Sequence, residues 1–215
     1  FGPGYPLILA VFDALDLSWM AARFLNAILL LVAIVYFYAT LRLYTGARPA
    51  LAFAYLLGLY PPFLTMVFRL YTETLVLFLV FGLIYHVCRF FQPAPRRPWA
   101  HLVVGGLYFG YLALTKVFFG YVLLAGLLLF AALYVARRQA RFAYMAMLFI
   151  IALLLCIPYL VYTYNLTARA YYWGNSGGMS LYWISSPYEG ELGDWHTGSH
   201  FNSREFLDVE NEMAE

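Results

Sequence analysis

Four charged side chains stand where long apolar runs begin or end: Arg23, Arg69, Glu73 and Lys116. Charges at membrane depth cost about 2.5–3.5 kcal/mol each on insertion scales, so they default to functional candidates. Three cations beside one carboxylate make a set that suits an anion. A guanidinium grips a phosphate through two parallel hydrogen bonds, and an ammonium adds a point charge. Blander roles exist for each residue. Arg69 and Glu73 are four apart and can pair on one helix. Glu73 suits a helix N-terminus, where the dipole favours a carboxylate. Arg23 and Lys116 can snorkel to head groups.

The elements that must position these residues are spans. Uncharged, mostly apolar runs cover 24–41, 49–68, 74–88, 98–115, 117–136 and 142–168. A helix crosses a bilayer with about 20 apolar residues. The run 74–88 is short and becomes adequate when extended past Glu73 to Tyr71. Composition agrees, with 64% hydrophobic and 11% charged residues, against roughly 25% charged in soluble domains. Back-to-back uncharged runs leave no polar face for water, which excludes a soluble helical core. The expected fold is therefore an all-α polytopic membrane protein with six spans.

Charge sets its orientation. The turns 42–48, 89–97 and 137–141 hold Arg42, Arg48, Arg89, Arg96, Arg97, Arg137, Arg138 and Arg141 and no acid. The opposite ends hold Asp13, Asp16, Glu73 and the acids after Asn165, which together make up all 11 acidic residues. Short basic loops stay in the cytoplasm. Both ends of the chain are then extracytoplasmic, and Arg23, Arg69, Glu73 and Lys116 share one outer belt. Such a belt suits an anionic lipid head group such as a lipid-linked sugar phosphate. The separation of signs argues against nucleic acid as a partner.

Three regions follow. Residues 1–19 end an outer loop with an interfacial helix over 5–17, which is too short to cross, and Asp16 or Ser18 caps the next helix. Residues 20–164 form the transmembrane region, and 165–215 form an extracytoplasmic polar segment. Pro61-Pro62 should end the second span sharply and leave 63–70 as an outer loop or re-entrant stretch. The chain begins at Phe1 without a signal-peptide pattern and ends at Glu215 in a polar stretch, so it is expected to be a piece of a longer protein. Cys88 and Cys156 lie within spans and are expected to be packed thiols. His86 and His101 lie toward the cytoplasmic ends and are expected to be structural. His196 and His200 stand near Asp194 without a third firm ligand, so no metal or other cofactor is indicated. Asn165-Leu-Thr167 matches a glycosylation sequon at the membrane edge and carries little weight.

In their order, these features resemble the GT-C superfamily of membrane glycosyltransferases, and within it glycosyltransferase family 39, the protein O-mannosyltransferases and aminoarabinose transferases. Gly2-Pro-Gly-Tyr-Pro-Leu-Ile-Leu9 resembles the end of that family's first outer loop. Ala22-Arg-Phe-Leu-Asn-Ala27 resembles its Ala-Arg-Leu-x-x-Ala helix start. Tyr60-Pro-Pro-Phe63, followed by Arg69-Leu-Tyr-Thr-Glu-Thr74, resembles its proline break and Thr-Glu motif. Leu114-Thr-Lys116 resembles its Leu-Thr-Lys helix end. Asn175-Ser-Gly-Gly-Met-Ser-Leu-Tyr-Trp183 with Ser186-Pro-Tyr188 resembles its Gly-Gly-x-x-Leu-Trp segment, and Ile184-Ser-Ser-Pro187 departs from the family's Asn-Asn-Pro pattern.

The resemblance implies a GT-C-like helix bundle in a bacterial inner (plasma) membrane. It implies transfer, with inversion, of a sugar from a polyprenyl-phosphate donor to a lipid, glycan or protein acceptor on the outer face, amid membrane lipids. The family's catalytic Asp lies early in the first outer loop, a position before Phe1. Arg23 matches an arginine facing the donor phosphate, and Glu73 and Lys116 match positions beside the outer cavity. Tyr and Trp residues of 171–183 are candidates for stacking on sugar or covering the cavity. Two other readings fit the same cation belt: a transporter or flippase for a lipid-linked or anionic solute, and an inactive scaffold subunit. A transporter predicts charge deep in the spans. The interiors of 24–41, 117–136 and 142–164 carry none.

Overall fold

Apolar side chains along these runs can leave lipid only by covering backbone that is already hydrogen-bonded within helices. In the computed structural model, which describes residues 2–93 and 95–174, all regular structure is helical. The helices are α1 (Gly4–Ala14), α2 (Trp19–Leu41), α3 (Ala47–Gly58), α4 (Pro61–Phe68), α5 (Glu73–Phe90), α6 (Pro98–Thr115), α7 (Phe118–Arg137) and α8 (Ala140–Thr167). They pack as a row in which α3 lies on α2, α2 on α5, α5 on α6, α6 on α8 and α8 on α7.

Each contact has a sequence cause. On α2 the buried residues Ala22, Asn26, Leu30 and Ala33 recur at helical spacing and form one face. The opposite face presents Phe24, Leu31 and Val35, all more than half exposed, as a lipid-facing stripe. On α6, Gly106 and Gly110 are four apart and turn toward α8. A Cβ on Gly110 would come within 2.7 Å of the Ala152 carbonyl. Glycine pairs of this spacing let two helix backbones approach closely, which substitutes for the missing hydrophobic drive between helices in lipid. The Cys156 thiol donates to the Gly110 carbonyl at 3.4 Å across the same contact. Cys156 is buried and Cys88 half-buried, and both are free.

Length and hydropathy alone bear out four or five of the six expected spans. Four helices, α2, α5, α7 and α8, are long and apolar enough to cross, or five if α3 and α4 together make one broken span. The exception is α6, which has the longest set of buried residues in the bundle. Sheltered between α5 and α8, it tolerates His101, Tyr108, Tyr111 and three glycines that a lipid-facing helix would not.

The proline break falls where expected, with α3 ending at Gly58. Pro61 and Pro62 open a short helix, α4, which meets α3 at a 51° bend, as a broken span or a re-entrant stretch would. Proline is at home in the first helical turn, because its missing N–H has no partner there in any case. Ser18 holds the N-cap position of α2 without a side-chain bond to it, so the expected cap is positional only. Asp16 adopts a left-handed backbone with φ 53° in the turn before it.

The alternation of helices gathers two sets of turns. One end carries the start of α1, the 69–72 turn and the α6–α7 junction. The other carries Arg42, Arg48, Arg89, Arg96, Arg97, Arg137, Arg138 and Arg141. Between the two ends, the rings of Tyr36, Phe78, Tyr85, His86, His101 and Tyr108 form a cluster. Inside it, the Tyr36 and Tyr108 hydroxyls lie 2.9 Å apart, as do the Nδ1 atoms of His86 and His101. The two histidines thus pack away from the charged belt.

Candidate functional site

Glu73 is the first residue of α5, where the helix dipole favours a carboxylate. Lys116 caps the C-terminus of α6 in an extended conformation that ends the helix and turns its side chain aside. The two meet with Lys116 Nζ 3.2 Å from Glu73 Oε1. Both side chains are about one-third exposed, at 32% and 37% respectively. The second carboxylate oxygen, Glu73 Oε2, is buried with no hydrogen-bond partner among the described residues, and so is the hydroxyl of the adjacent Thr74.

A second layer of uncharged residues backs this pair. Tyr5 of α1 is buried and its hydroxyl donates to Asn26 Oδ1 at 3.0 Å. Asn26 Nδ2 donates in turn to the Arg69 carbonyl at 3.1 Å. Asn26 therefore fixes the turn that leads into Glu73. Tyr111 of α6 donates to the Gly4 carbonyl at 2.8 Å. Gly4 lies against Thr115 so closely that a Cβ would meet the Thr115 hydroxyl and backbone. Small size at position 4 is thus what lets the start of α1 reach the end of α6. Burial pushes the Tyr5 phenol above its ordinary range, and the charge of the nearby Glu73 adds to the shift.

Of the four residues singled out from the sequence, the fold pairs two. The expected Arg69–Glu73 helix pair does not form, because α4 ends at Phe68 and α5 begins at Glu73, so the two residues share no helix. Glu73 engages Lys116 instead, and the Arg69 guanidinium lies over the Tyr71 ring, 5.7 Å from its centroid. Arg69 joins the network through its backbone. Arg23 is exposed on α2, one turn before Asn26.

Tyr5 and Asn26 escaped a search for charges because neither is charged. The signal available was a lone amide inside an otherwise apolar run. Trp173, a candidate for sugar stacking, is fully buried. Its indole packs against Gly120 and Tyr171, and its carbonyl accepts from Tyr159 at 3.0 Å. The remaining aromatics of 175–183, the 184–201 loop, and His196, His200 and Asp194 lie outside the described residues.

A helical bundle of apolar spans with a partly exposed Glu73–Lys116 ion pair at one end defines an integral membrane protein. A family model described as dolichyl-phosphate-mannose-protein mannosyltransferase matches residues 2–162, which include every residue of the network. The chain belongs to this family, whose members are membrane glycosyltransferases that use polyprenyl-phosphate sugar donors. No curated protein and no solved structure matches the chain.

Proposed function

We propose that the chain transfers a sugar from a polyprenyl-phosphate donor to a hydroxyl of a lipid, glycan or protein acceptor at the extracytoplasmic face of a bacterial inner membrane. The observation that carries this reading is the Glu73–Lys116 pair, held with Tyr5 and Asn26 at the bundle end opposite the arginine-rich turns. Basic turns remain in the cytoplasm, so the pair belongs outside.

In the proposed reaction the acceptor oxygen attacks the anomeric carbon. The bond from that carbon to the phosphate oxygen breaks, its electron pair leaves with the polyprenyl phosphate, and the anomeric centre inverts. The acceptor proton passes to a carboxylate, which the family resemblance assigns to an Asp before Phe1. Lys116 and Arg23 offset the charge growing on the leaving phosphate, with Arg69 beside them. Glu73 holds Lys116 in place through Oε1. The family description makes polyprenyl-phosphate mannose the first donor to test.

In an enzyme containing this chain, Lys116→Ala and Arg23→Ala are each expected to cut sugar transfer about 10²–10³-fold, the usual cost of removing a group that stabilises transition-state charge. Radiolabelled-sugar transfer checks this, with melting temperature as the control for folding. Near-normal transfer in Arg23→Ala removes Arg23 from the site, and near-normal transfer in Lys116→Ala overturns the reading.

A further inference from the structure

The arginine end of the bundle carries a cavity of its own. It is an open groove of about 380 Å³ between the C-terminus of α5 and the first turns of α6 and α8. That volume lies within the roughly 300–1,000 Å³ of ordinary ligand pockets. Phe90, Phe91, Trp99 and Tyr144 form its walls, and Pro95 and Pro98 its lip.

The walls brace one another before any ligand arrives. Tyr144 stands edge-on to both Phe90 and Trp99, with ring centroids 5.2 and 5.6 Å apart, and Phe90 stands edge-on to Phe91. One charge lines the cavity, the exposed guanidinium of Arg141, whose Cζ lies 4.9 Å from the Phe142 ring centroid. Arg96 and Arg97, both exposed, stand between the two lip prolines. The turns at this end hold no Asp or Glu to neutralise them. α6 and α8 both begin here without a side-chain cap, so their positive dipole ends add to the field.

We propose that this cavity binds an anionic phospholipid of the leaflet at the arginine end. Its phosphate sits on Arg141 and the start of an acyl chain lies along the Phe90–Trp99–Tyr144 wall. An apolar aromatic slot lined by Arg141, with Arg96 and Arg97 at its lip, matches an amphiphile with an anionic head, and matches neither a free anion nor a neutral hydrocarbon. The site is at the opposite end of the bundle from Glu73 and Lys116 and does not depend on the catalytic reading.

The test is native mass spectrometry of the full chain in detergent, titrated with phosphatidylglycerol or phosphatidylcholine of matched acyl chains. Phosphatidylglycerol should be retained in preference. Arg141→Gln should weaken its retention about five-fold, the worth of one arginine near an anionic lipid. Arg42→Gln, at the same end but away from the cavity, should leave retention unchanged, and Arg141→Lys should fall between. Should Arg141→Gln fail to fold, Trp99→Leu replaces it and should lower phosphatidylglycerol retention without shifting the melting temperature. Equal retention of the two lipids overturns the proposal, as does an equal loss in Arg42→Gln. Binding of inorganic phosphate as tight as that of the lipid would mark a free-anion site and overturns it too.

Discussion

The two ends of α6 treat polar groups in opposite ways. At the closing end, Thr115 lies against Gly4 and Lys116 pairs with Glu73, while Tyr111 bonds to Gly4 and Tyr5 and Asn26 link α1 through α2 to the Arg69 turn, so donors and acceptors engage one another across distant positions. At the opening end, Arg42, Arg48, Arg96, Arg97, Arg137, Arg138 and Arg141 are exposed, with only Arg89 partly buried, and no acid in those turns matches them. At the closing end Tyr5, Asn26 and Thr115 are buried and fixed at the cost of conformational freedom, beside a partly exposed ion pair. Dispersed cations cost little, hold orientation and attract lipid phosphates. The difference separates two kinds of charge that a composition count treats alike.

The sharpest way to break this contrast is Asn26→Leu. The substitution improves helix propensity and keeps a branched side chain, but strips the Tyr5 hydroxyl and the Arg69 carbonyl of their partners. At about 1–3 kcal/mol for each buried group left unsatisfied, the loss should be about 2–6 kcal/mol in thermal or denaturant unfolding, accompanied by reduced sugar transfer. A loss no larger than that of a surface substitution would mean that the closing end is not interlocked.

Tyr5→Phe should cost less, about 1 kcal/mol below pH 10, because one hydrogen bond goes and the ring stays. Its pH dependence carries a sign. Burial raises the Tyr5 pKa above its ordinary 10.0 in the folded protein. The folded chain therefore keeps the proton that the unfolded chain releases first, and stability falls as pH rises from about 10 through the folded value. Phenylalanine has no such loss, so the stability gap between Tyr5→Phe and the parent should narrow above pH 10. A gap that stays constant across that window would place Tyr5 in water.

At the opening end, Arg42→Gln should change stability by no more than about 0.5 kcal/mol and leave transfer intact. Arg42 donates only to the exposed Thr45 carbonyl at 3.2 Å. A large effect there would erase the distinction between the two ends.

Much of this was legible before any coordinates. Apolar runs placed α2, α5, α7 and α8, because lipid admits helices and little else. The arginine turns separated the two ends, because charge is costly to move across a bilayer. Glu73 at a helix start and Lys116 at a helix end were visible from the breaks around them. Less legible was the pairing. Arg69 is the nearest cation to Glu73 along the chain, yet the turn at 69–72 removes the helix that would have joined them, and Lys116 arrives from another element.

The sequence alone determined that this chain lives in a membrane as helices and that its short arginine-rich turns carry no acid. It also showed that the positions Arg23, Arg69, Glu73 and Lys116 share one end, because hydropathy and charge act locally and need no partner to be read. Only the tertiary structure decided that α6 lies at the centre and that Glu73 holds Lys116 rather than Arg69. It alone revealed that Tyr5 and Asn26, which carry no charge, tie the site together. Those outcomes depend on which helix backbones come close enough for a hydrogen bond. The small residues Gly4, Gly106 and Gly110 set that closeness, and it is a property of two surfaces in contact rather than of either stretch of chain.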